Sequence, residues 1–161
     1  MCRWHCNLFS RRVLMKIAKI LFPTDFSEGA LYAFPYAVDL AKTYSAKLYM
    51  VHILYDVAMA TGLHIPHTSM DTLYKELEAN AKKTLESFAY ELRQGVADIE
   101  FAVLRGVPYE EALNYAGANG IDLIVIGTHG RKGLDRLLFG STAERIVRNA
   151  ACPVLTVRKP D

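Results

Sequence analysis

At 161 residues, 52% hydrophobic and 22% charged, the chain has the size and balance of one folded domain, which excludes general disorder and a second module. The formal charge of +2 falls to 16 basic against 17 acidic residues once Arg3, Arg11 and Arg12 are set aside, so no basic stripe argues for nucleic acid. No apolar run approaches the roughly 18–20 residues of a membrane-spanning helix, and three cysteines (Cys2, Cys6 and Cys152) form no paired framework, a usage that fits a reducing cytoplasm.

Residues 1–14 show no sustained period and precede a second methionine, Met15. They read as an N-terminal extension, disordered or from an upstream start, ahead of a domain over 15–161. The stretch has no apolar core or small-residue cleavage site of a signal peptide. Cys2, His5 and Cys6 offer three metal ligands at poor spacing with no fourth nearby, so no metal site is assigned.

Ile20-Leu21-Phe22 predicts a short buried strand ended by Pro23. Ser27 offers an N-cap, and Ala30, Phe34, Ala37, Val38 and Ala41 recur at helical spacing to about Tyr44. Pro35 falls inside this helix and is expected to kink it. Lys47 to Ile53 predicts a second strand, in which His52 reads as a core histidine. A long loop follows over 55–70, where His64 and His67 flank Pro66 and so do not share a helix face. Leu73, Leu77, Ala81, Leu85, Phe88 and Leu92 mark one face of a long helix. Ile99, Phe101 and Val103 alternate with Glu100 and Ala102, the pattern of a strand with one wetter face. Pro108 opens a helix ended by Asn119-Gly120. Leu123 to Ile126 is a fully apolar strand, and Val154 to Val157 is the last.

Strict alternation of strand and helix predicts an α/β domain with an open, five-stranded parallel sheet and helices on both faces. The first, second and fourth strands are the most apolar and belong at the centre, and the third belongs at an edge. The order 3-2-1-4-5 meets both demands. It places a topological switch point between strands 1 and 4, where such sheets bind ligands beyond their carboxyl ends.

Strand 1 ends in Pro23-Thr24-Asp25-Phe26-Ser27, and strand 4 ends in Gly127-Thr128-His129-Gly130. Asp25 can accept hydrogen bonds from ribose hydroxyls or a base amino group; a helix-capping role for Asp25 or Ser27 competes with that reading. Gly127 and Gly130 permit close backbone approach to a bulky anion and positive φ in the turn, and Gly140 is a further candidate for positive φ. Gly140-Ser141-Thr142 opens a helix, with Ser141 and Glu144 at capping-box spacing. Helix N-terminal amides with two hydroxyls suit a phosphate, and Arg131, Lys132 and Arg136 add positive charge. The loop is neither a P-loop nor a Rossmann fingerprint.

With KILFPTDFSEGA, LYMVHIL, GVPYEEAL and DLIVIGTHGRKGLDRLLFGSTAERIVRNAACPVLTVR in place, the chain from Met15 to Arg158 resembles the universal stress protein family. That family shares an adenine nucleotide α-hydrolase-like fold. Gly127, Gly130, Gly140 and Ser141 match its ATP signature of glycine, two residues, glycine, nine residues, then glycine and serine or threonine. The resemblance implies that Pro23, Thr24, Asp25 and the backbone of Val51 hold the adenosine end. It places Gly127, His129, Gly130 and Arg131 along the ribose and phosphates, and gives Gly140, Ser141 and Thr142 the phosphates with Mg2+ or Mn2+. It further implies a cytoplasmic, homodimeric ATP sensor with at most slow hydrolysis and no dedicated catalytic residue. The homodimer is expected at the apolar strand-5 edge.

Two other readings stand beside this one. An adenylating enzyme of the same superfamily would need an SGGxDS loop or HxGH and KMSKS motifs, which are absent. An interaction module would use the glycine loop only structurally.

Overall fold

The computed structural model describes residues 16–56, 70–90, 96, 98–128 and 140–160, with only the backbone of 70–73. In chain order the elements are β1 (Lys19–Thr24), α1 (Glu28–Tyr44), β2 (Lys47–Tyr55), α2 (Met70–Tyr90), β3 (Ile99–Gly106), α3 (Pro108–Asn119), β4 (Leu123–Gly127), α4 (Ser141–Asn149) and β5 (Val154–Val157). All four strand pairings are parallel, in the expected order β3-β2-β1-β4-β5.

The strands are apolar on both faces because both are covered. On one side α1 and α2 bury Phe34 and Leu85 against Phe22, Met50 and Val125. On the other, α3 and α4 bury Ala112 and Ile146 against Leu21, Val51 and Ile124. Helix α1 presents Ala30, Ala33, Phe34, Ala37, Val38 and Ala41 to the sheet, the spacing that predicted it. It is assigned as one helix through Pro35, and Ser45 ends it in the left-handed region. Gly120 closes α3 in the same way.

Several boundaries differ from expectation, and the differences bear on the cleft. Strand β1 does not stop before Pro23 but runs through it to Thr24. In a parallel ladder, alternate residues turn their peptide groups to opposite neighbours. The Lys19 carbonyl accepts from Asp122 N, so the odd-numbered β1 residues face β4. Pro23 shares that side, and it has no N–H to give. The β1–β4 register accordingly covers only Ile20↔Leu123 and Leu21↔Ile124. Towards β2, by contrast, the register continues to Thr24↔His52. At the opposite end the Asp122 carboxylate fastens the same junction, accepting from Ala18 N at 2.8 Å and Lys19 N at 2.9 Å.

Strand β2 extends past Ile53 to Tyr55, paired with β3 up to Gly106. Asp56 follows, fully buried, and receives the Arg105 guanidinium, which also lies 3.4 Å from the Tyr74 ring centroid of α2. That ion pair holds the exit of β2. The extension at 1–14, with its cysteines, and the histidines of the 57–69 segment lie outside the described residues.

Candidate functional site

The first turn of α1, the end of β4 and the start of α4 meet at the switch point. A Cβ built on Gly127 would lie 2.7 Å from the Gly29 carbonyl oxygen and 2.9 Å from its carbon. Gly127 therefore brings the β4 end against the α1 backbone. Its φ is not positive, so close approach, not turn geometry, requires glycine there. Thr128 N donates to Val157 O at 2.9 Å, and Gly140 N donates to Thr128 O at 2.6 Å, which ties the start of α4 to the end of β4. Pro23 parts the β1–β4 ladder at this same carboxyl end.

The turn from β1 into α1 is held residue by residue. Phe26 N donates to Thr24 Oγ1 at 3.1 Å, and Ser27 N donates to Asp25 Oδ1 at 3.0 Å. Ser27 Oγ then accepts from Ala30 N at 3.3 Å, the expected N-cap. Thr24 is buried, whereas Asp25, which follows the end of β1, is half-buried.

At α4 the expected capping box is not formed. Gly140 is the N-cap with φ −66°, Ser141 is the first helical residue, and no side chain caps the helix. Neither a left-handed φ at Gly140 nor a Ser141–Glu144 exchange is present; Glu144 pairs instead with Arg148 at 2.8 Å. The physical reason is register, since a capping box needs its serine one residue outside the helix. The first-turn N–H groups of α4 lie beside the exposed Ser141 and half-buried Thr142, a donor set suited to phosphate oxygens.

Val51 does not sit at the strand end. It is in register with Pro23 on one side and Ala102 on the other. Lys47 N donates to Ala18 O and Leu48 N to Asp98 O, so odd β2 residues turn to β1 and even ones to β3. Ile53 is the first β1-facing residue with no β1 partner in register. The expected strand stops at Ile53 itself, whereas β2 runs on to Tyr55. His129, Gly130 and Arg131 lie outside the described residues, as do Lys132 and Arg136. Among the described residues no three His, Cys, Asp or Glu side chains gather as a metal site. His52 is indeed buried and bonded. Cys152 is only half-buried, and burial pushes its thiol pKa up.

The fold is that of a doubly wound α/β domain of the adenine nucleotide α-hydrolase-like kind. The sequence model of the universal stress protein family matches residues 16–158, and the chain belongs to that family. Universal stress protein MJ0531 of Methanocaldococcus jannaschii is 37% identical over 142 residues, covering 88% of this chain and 82% of the relative. The solved universal stress protein UspA of Lactobacillus plantarum superposes with TM-score 0.76 at 30% identity, covering 89% of this chain and 99% of that one. A universal stress protein of Archaeoglobus fulgidus in complex with dAMP shares the fold, with TM-score 0.53 at 20% identity and coverage of 88% and 98%.

Proposed function

We propose that the chain is an ATP-binding stress-response regulator of the cytoplasm that works as a homodimer. The observation that carries this reading is the spacing Gly127, Gly130, Gly140 and Ser141, anchored at one end in the cleft that Pro23 opens. Asp25, with the strand ends at Pro23, Thr24 and Ile53, takes the adenosine. The α4 N-terminus with Ser141 and Thr142 takes the phosphates, with Mg2+ or Mn2+ bound through them. Arg131 and the loop amides neutralise the remaining charge. In this reading nucleotide occupancy rather than turnover is the signal.

One observation favours a second reading. Gly127 is required by packing against Gly29 whether or not a nucleotide binds, as an interaction module with a structural loop would have it. Calorimetric titration of ATP and adenosine separates the two. Gly140→Val should abolish ATP binding, because a branched side chain would stand where phosphate meets the helix start. Ser141→Ala should weaken ATP by about 1–2 kcal/mol and spare adenosine, the loss of one charge-assisted hydrogen bond. Asp25→Ala should weaken both ligands alike. Wild-type ATP affinity in Gly140→Val would hand the site to the interaction-module reading.

A further inference from the structure

Phe26, between Asp25 and Ser27, is a non-glycine residue with a positive φ of 62°. That left-handed conformation brings Cβ against the backbone, and a phenylalanine has no short polar side chain to offset it. The bonds of Phe26 N to Thr24 Oγ1 and of Ser27 N to Asp25 Oδ1 hold the turn from within, and the Phe26 ring is held from outside it. Its ring stacks on His52 with centroids 4.4 Å apart and an interplanar angle of 30°, and meets Phe88 at 5.8 Å. The histidine is itself fixed. Its Nδ1 lies 2.8 Å from the Thr24 carbonyl oxygen, and since that oxygen can only accept, Nδ1 carries the proton.

These contacts close a loop around Asp25. Thr24 is bonded to His52 by its carbonyl and to Phe26 N by its hydroxyl, while the Phe26 ring returns to His52. Asp25 lies inside this ring of contacts with one oxygen on Ser27 N. We propose that Phe26 is a positioning residue for the nucleotide site: clamped between His52 and Phe88, it sets the turn that aims the Asp25 carboxylate. The inference rests on the assignment of Asp25 to adenosine.

Phe26→Gly is the informative variant, because glycine adopts φ 62° without strain and only the clamped ring is lost. Adenosine and ATP affinities should both fall about tenfold, the scale of one charge-assisted hydrogen bond losing its alignment. Added to Asp25→Ala, the same change should cost ATP affinity nothing further, since the group that it aims is gone. Phe26→Tyr keeps the stacked ring and should bind as wild type does. Unchanged adenosine affinity in Phe26→Gly, or an equal loss in the Asp25→Ala background, would overturn the proposal. If Phe26→Gly lacks the wild-type circular dichroism spectrum, Phe26→Leu is read by the same two criteria. Wild-type protein that binds no adenosine would remove the assignment of Asp25 and this inference with it; wild-type binding with insensitive Phe26 variants removes the inference alone.

Discussion

Gly127 illustrates how one missing methyl group organises the cleft. The Cβ of any other residue would press on the Gly29 carbonyl, and neither backbone can move without shifting β4 or α1. Gly127→Ala should therefore cost about 1–3 kcal/mol, the usual penalty of overpacking. At about 2–4 °C per kcal/mol for a chain of this size, calorimetry should record a clear drop in Tm. An unchanged Tm would mean that α1 slides aside without cost. The position was legible in the sequence as a glycine of importance, but the reason was not. Spacing marks which glycines form a signature and says nothing about which of them faces a ligand and which a neighbouring carbonyl. The same holds for Val51 and Ile53, where two residues of strand length decide whether a peptide group lies in the ladder or at its end.

Among the elements, β3 shows what an edge strand does with its wetter face. Glu100 accepts from the Tyr115 hydroxyl of α3 at 3.0 Å and pairs with Lys47 of β2 at 3.0 Å. Burial, followed by the bond to Glu100, pushes the Tyr115 phenol up from 10.0 to about 12. A raised pKa in the folded state means that the phenol's contribution is intact below the unfolded value and is lost as pH climbs to the folded one. Stability should thus fall between about pH 10 and about pH 12. Tyr115→Phe should start about 1 kcal/mol lower through the lost hydrogen bond and then decline less steeply across that window, as read by urea midpoints. Parallel declines would assign the alkaline loss to other groups. Alternating apolar residues made β3 legible as an edge, and continuous ones made β1, β2 and β4 legible as central. What the pattern could not supply was the partner of each polar residue: Asp56 looked like the start of a loop, yet it is buried under Arg105 and Tyr74.

For the whole molecule, the homodimer we propose would place its second copy at the open edge of β5. Ile124 N donates to Pro153 O and Thr128 N to Val157 O, so the odd residues of β5 serve β4. Val154 and Thr156 therefore turn their peptide groups outward, ready to pair across a two-fold axis. Leu155 is exposed, but Val157 is buried in the core, so lysine at Val157 would test folding rather than assembly. Thr156→Pro removes one outward donor and leaves the inner ladder untouched. Light scattering should then report a monomer; a persistent dimer would move the interface to another surface.

By register the five strands fall into two plates. Strands β3, β2 and β1 are paired along most of their lengths, and β4 with β5 along theirs, yet the plates share only the register of Ile20 and Leu21. Asp122 pins this short seam at one end, and Pro23 leaves it unzipped at the other. A sheet stitched in this way has its hinge at the amino ends and its mouth at the carboxyl ends. The covering helices, more than the sheet itself, then set how wide the mouth stands. Amide exchange should be faster at Val125 and Gly127, which face the seam, than at Val51, which lies in the paired plate. Equal protection would mean that the two plates open as one. A nucleotide lodged in the mouth would act as the missing stitches, and slower exchange at Gly127 is how occupancy would be felt by the rest of the molecule.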